Sequence, residues 1–147
     1  MKRIALIICI IVCFIYSSSV FAGYQNDWVK YADDNLISFS LDRNSIAKNN
    51  AGNYNVLILM VPHKNNVFNK KFNRTDIAYV YSEQEIDIIN NLHRVTSLYA
   101  YDKKGKEVMS DAYSLKKGDL PKFEKIMAGT ITASLKKYLS SYVKDKK

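Results

Sequence analysis

His63 and His93 are the only histidines in the chain, and Cys9 and Cys13 its only thiols. No HExxH spacing joins the histidines, and two Cys cannot fill a four-ligand site, so no metal is expected. The serines form no GxSxG elbow. Carboxylate pairs are present as Asp33 with Asp34 and as Glu83 with Glu85, but acid and base work needs two carboxyls held in unlike surroundings. Asp33 and Asp34 read as turn residues. Glu85 and Asp87 alternate with Ile86 and Ile88, which reads as a solvent face. The glycine-containing run NNAGN at 49–53 lacks the Lys and the following helix of a phosphate loop. Asn73, Arg74 and Thr75 match a glycosylation sequon, which matters only in a glycosylating host. The expectation is a protein that is not an enzyme and holds no cofactor.

Binding chemistry is better represented. The stretch from His63 to Arg74 carries Lys64, Lys70, Lys71 and Arg74 with no acid, and it places Val67, Phe68 and Phe72 among them. Exposed aromatics give rigid contact area, and cations beside them steer acidic partners. Lys64, Phe68, Lys70, Lys71, Phe72 and Arg74 are therefore the candidate binding residues. Against this stands the reading in which Phe68 and Phe72 pin the segment to the core and the lysines solvate it.

The N-terminus decides where such a protein works. Lys2 and Arg3 precede an apolar run from Ile4 to Tyr16, and Ser17 to Ala22 close it with Val20 and Ala22 at the positions a signal peptidase reads. A spanning helix needs roughly 20 apolar residues, more than this run supplies. The segment 1–22 thus reads as a cleaved signal, with the cut between Ala22 and Gly23 and a single domain over 23–147. Ile8 and Val12 stand where a lipid-attachment motif needs small residues, so lipidation is not expected. Both Cys leave with the signal, and no disulfide is expected in the mature protein. Export also argues against nucleic acid as a partner.

Charge sharpens the picture. The whole chain carries +8, and removing Lys2 and Arg3 leaves +6. Segment 63–74 holds +4 and segment 136–147 another +4, so the rest of the mature chain is slightly acidic. With 48% hydrophobic residues the composition is that of a folded domain rather than a disordered one.

The elements that must position these residues follow from periodicity. DWVKY at 27–31 is a short aromatic segment ending in a turn at Asp33, Asp34 and Asn35. Ile37, Phe39 and Leu41 alternate with Ser38, Ser40 and Asp42, the period of a half-buried strand. NNAGN separates it, after RNSIAK, from YNVLILMV at 54–61, which is apolar on both faces and predicts a central strand buried on both sides. Residues 63–76 show neither period and predict a long exposed loop. IAYVYS and EIDII predict two short strands, and LHRVTSLYAYD a longer one that turns at Lys103, Lys104 and Gly105 into EVMSDAYS. Near the end the period changes. Ile131, Leu135, Tyr138, Leu139 and Tyr142 share one helical face, with Thr130 as its cap. The expected fold is α+β, an antiparallel sheet of about five or six strands with a C-terminal α-helix packed on one face.

Several of these pieces occur in a known order. Trp28 in a first strand, DRNSI at 42–46, VLILMV, SEQEID at 82–87, YAYDKKGKEV at 99–108 and FEKIMAGTITASL at 123–135 resemble the surface-adhesin E family of exported bacterial proteins. That family carries a Cys after the Ile-Asp of its middle strand and another near its C-terminus. Here Ile88 follows Asp87, and no Cys follows Tyr142 and Val143. The family's Trp, Ile, Pro, Gly and Ser near the helix start stand here as Phe123, Ile126, Ala128, Gly129 and Thr130. The resemblance implies an exported, non-enzymatic protein-binding or adhesion module of the periplasm, outer surface or medium. It also implies host matrix or plasma proteins as partners and a homodimer formed through the sheet, while the basic stretch 63–74 adds acidic glycans and the short apolar run leaves no transmembrane anchor after cleavage. The alternative is a periplasmic small-ligand-binding or structural envelope protein.

Overall fold

The computed structural model describes residues 25–64, 67–112 and 120–145. The expected signal segment, with Ala22 and Gly23 at its cut, lies outside the described residues, as do Lys146 and Lys147 of the basic C-terminus. The chain begins with β1 (Trp28–Asp33) and β2 (Ile37–Asp42), then a 3-10 turn (Arg43–Ser45), β3 (Ala47–Lys48) and β4 (Tyr54–Pro62). Helix α1 (Val67–Phe72) precedes β5 (Tyr79–Asp87), β6 (Leu92–Tyr101), β7 (Glu107–Ala112) and the short β8 (Glu124–Lys125), and α2 (Ile131–Asp145) ends the fold. The main sheet runs β1-β2-β4-β5-β6-β7 with every neighbour antiparallel, while β3 adds to β4 and β8 to β6. The α+β architecture is as expected.

Alternation sorts the side chains into two layers. Leu41, Val56, Ile58 and Ile86 point to the face that α2 covers, where they meet Ile126, Leu135 and Leu139. The helical stripe works as its spacing predicts, since Leu135 and Leu139 lose all exposure while Lys137 and Ser141 face solvent. Thr130 caps the helix, its hydroxyl accepting from the Ala133 amide at 3.2 Å and donating to the Met127 carbonyl at 2.7 Å. Gly129 precedes it at φ +78°, a backbone angle that side chains disfavour and glycine tolerates.

The segment expected to be a long exposed loop instead contains α1, which covers the rest of the same face. Phe68 is only 6% exposed and packs with Ile77, Val80 and Ala100, and Phe72 lies half-buried beside it. The two rings stand 6.4 Å apart because four residues is one helical turn. So Phe68 pins the segment to the core as the second reading expects, while Phe72 stays half-buried beside it.

Two further expectations change. IAYVYS and EIDII are one continuous β5, and the irregularity falls on its partner, where Thr96 of β6 is the extra residue between the Glu83–Ser97 and Gln84–Val95 pairs. The central strand β4 is flanked on both edges as predicted, but its second face is open enough to leave Val61 41% exposed.

Because Leu139 is fully buried between α2 and the sheet, Leu139→Ala should destabilise the domain by about 2–5 kcal/mol in urea unfolding. The exposed neighbour change Ser141→Ala should stay within about 0.5 kcal/mol of the parent.

Candidate functional site

On the sheet face opposite the helices, the structure buries a charge that the sequence pattern assigned to solvent. Glu85 neighbours Ile86 of the helix-side core and so points the other way, where it pairs across β4 with Asn55 and across β6 with Arg94. Its carboxylate is 7% exposed and Arg94 18%. Oε2 accepts from Arg94 Nε at 2.7 Å, and Oε1 accepts from the side-chain amides of Asn49 at 2.7 Å and Asn53 at 2.8 Å. The remaining Arg94 surface is used as well. Its NH1 donates to the Pro121 carbonyl at 3.5 Å, and the guanidinium lies 4.3 Å from the centre of the Phe123 ring.

The NNAGN turn is built to deliver those amides. Asn49 Oδ1 accepts from the Ala51 and Asn53 backbone amides, each at 3.0 Å, which locks the turn and aims the Asn49 nitrogen at Glu85. Gly52 sits at φ +88° at its apex. Burial pushes the Glu85 carboxyl up, but the hydrogen bonds from Asn53, Arg94 and Asn49 outweigh it and hold the group below its ordinary value. It is a carboxylate fixed in its ionised form, with the sheet hairpin and the turn as its cage.

Around this pair lies an open cleft of about 750 Å³, floored by β4, β5 and β6 and walled by the 49–51 turn and Leu120. Among the described residues, the Asn50 and Asn55 amides and the Glu83 carboxylate hold no hydrogen bond there, and all three are exposed. Beyond Glu83 on the same face of β5 comes a row of rings. Tyr81 stacks on Trp28 of β1 at 5.7 Å and meets Tyr101 edge-on at 5.4 Å, and Tyr79 stacks on Tyr101 at 5.2 Å. Polar cleft and aromatic row share one face. Sequence reading missed this site because it treats each strand separately. The one available signal was hairpin arithmetic, since a turn over 88–91 sets Glu85 opposite Arg94.

The residues singled out from sequence lie elsewhere. Lys64 follows β4, and Lys70 and Lys71 are exposed on α1, with the Lys71 nitrogen 5.7 Å from the Phe72 ring centre. Arg74 is not a free cation. It makes a two-pronged pair with Asp76, Nε to Oδ1 at 2.8 Å and NH2 to Oδ2 at 2.7 Å, just past the acid-free stretch. The basic stretch thus keeps Lys64, Lys70 and Lys71 as its exposed cations, with Phe68 buried against the sheet and Phe72 half-buried beneath Lys71.

The histidines do not converge. His63 bonds Asp33 Oδ1 at 2.7 Å at one end of β4, and His93 stands opposite Ile86, which in turn faces Tyr54 at the other end. Nine strand residues separate those ends by about 30 Å. Among the described residues no group of three or more His, Cys, Asp or Glu is arranged to hold a metal, and no helix is long and apolar enough to cross a membrane. Comparison with known proteins returns nothing: no family model matches the chain, and neither does any curated protein or solved structure.

Glu85→Gln should cost about 3–5 kcal/mol, because it leaves Arg94 charged and poorly paired in a mostly buried site. Since folding lowers the Glu85 carboxyl from its ordinary 4.5, its contribution is present above that value and is lost as the pH falls through the folded one. Urea unfolding between about pH 3 and 7 should therefore show the parent losing stability on acidification more steeply than Glu85→Gln. Parallel curves would rule out this role for Glu85.

Proposed function

We propose that the chain is an exported, non-enzymatic binding module of the bacterial envelope or surface, and that it takes its ligand in the cleft on the helix-free sheet face. The observation that carries this reading is the division of labour in the cleft. Glu85 and Arg94 are saturated by each other and by Asn49, Asn53 and Pro121, which suits a rigid wall rather than a proton-transfer group. Asn50, Asn55 and Glu83 remain presented to whatever enters. A preformed concave site with a few unspent polar groups is the usual form of a binding pocket. Support for export comes from the signal-like layout of residues 1–22 and from the resemblance to the surface-adhesin E family.

A second reading, adhesion to an acidic host protein or glycan, draws on the three lysines. Phe68 and Phe72 hold α1 against the sheet, so Lys70 and Lys71 present charge from a rigid support, and Lys64 stands exposed after β4. Such contacts steer association and are screened by salt.

Fractionation of the native cells, with protease added to intact cells, tests the first reading. The expected product lacks residues 1–22 and lies outside the cytoplasm; a cytoplasmic chain that keeps them would overturn it. For the second, binding to immobilised heparin should fall several-fold in Lys64→Ala/Lys70→Ala/Lys71→Ala and with rising ionic strength. Equal binding by parent and variant would remove the lysine patch from any adhesive role.

A further inference from the structure

We infer that the cleft takes a neutral saccharide, with one sugar unit held by Asn50, Asn55 and Glu83 and the neighbouring unit laid on the Tyr81 and Trp28 rings. The inference rests on the cleft being the binding site, and it adds the chemical class of the ligand. Three observations lead to it.

The exposed unspent groups among the described lining residues are two amides, which both donate and accept, and one carboxylate, which only accepts. Adjacent sugar hydroxyls also donate and accept, so a hydroxyl pair can satisfy an amide and a carboxylate together. Charge argues in the same direction. Arg94 is committed to Glu85, so among the described residues the free charge lining the cleft is the negative Glu83, which opposes a phosphate, sulfate or uronate. No described lysine lines the cleft.

The third observation is the ring row. A purely polar small ligand would use the cleft alone, but Tyr81 lies two residues from Glu83 on the same face of β5, about 7 Å along the strand. A pyranose carries hydroxyls on its rim and C–H groups on its faces, so one sugar can fill the polar cleft while the next stacks on an aromatic ring. Rings already packed against each other present such a surface without losing side-chain freedom on binding. The cleft is large enough for one such unit, and its lining residue Glu83 is the next residue of that face of β5 after Tyr81.

Trp28 is the single Trp of the chain and gives the readout. The full chain purified from cells is titrated with maltotriose, cellotriose and chitotriose while Trp28 emission is followed, and a sulfated heparin oligosaccharide serves as the charged comparison. At least one neutral trisaccharide should give a saturable change below about 10 mM. Asn55→Ala and Glu83→Ala, both at exposed positions, should each weaken it about tenfold with an unchanged thermal midpoint. Lys64→Ala/Lys70→Ala/Lys71→Ala should leave it unaltered. The inference is overturned if no neutral trisaccharide saturates, or if the change survives both cleft substitutions. If only the sulfated oligosaccharide binds, and the lysine variant abolishes it, the saccharide assignment of the cleft fails while an exported binding module stands. A cytoplasmic, uncleaved chain would instead remove the reading beneath it.

Discussion

A buried carboxylate must be paired and hydrogen-bonded or it unfolds its surroundings, and Glu85 makes much of this structure answer to that requirement. From its place on β5 it is held from three places in the chain: the 49–53 turn, β6 through Arg94 and, beyond Arg94, the segment at Pro121 and Phe123. None of these is free to drift without exposing an unmatched charge. The turn conformation, the β5–β6 register at its tip and the course of the chain toward β8 are all coupled to one side chain. The same coupling makes a rigid cleft wall, because both Glu85 oxygens and all three Arg94 nitrogens are engaged.

The second constraint is that the two sheet faces are finished differently. One is closed by α2 and α1 over aliphatic side chains, which gives the domain its core. On the other, the described residues lay out rings and polar groups, including Trp28, Tyr79, Tyr81 and Tyr101. An antiparallel sheet tolerates this asymmetry because alternation lets each strand serve a dry layer and a wet one at once. A half-buried Tyr keeps its body packed while its hydroxyl reaches a polar partner, as Tyr101 does with Glu107.

Charge follows the same logic of local pairing. Arg74 spends its guanidinium on Asp76, Arg43 on Asp27 and Arg94 on Glu85, whereas Lys64, Lys70 and Lys71 stay exposed. The planar guanidinium matches a carboxylate two-fold, and the ammonium groups remain hydrated points. The net charge of +8 therefore says little about any one surface.

Read alone, the sequence determined the α+β class, the central place of β4, the β6–β7 hairpin and the α2 stripe with its Thr130 cap. Each of these rests on interactions within a few residues or on a period that one face of one element imposes. It also carried two signals that only pairing could interpret: the four-residue spacing of Phe68 and Phe72, and the offset of Glu85 from Arg94 about a hairpin turn. A helix of six residues is too short to display a period, so tertiary contact with Val80 and Ala100 decided that α1 forms and that its rings turn inward. Whether Glu85 met solvent or a cage was likewise decided only once β6, the NNAGN turn and Pro121 were brought around it. Burial of a charge is a property of neighbours distant in sequence, and no local pattern encodes it.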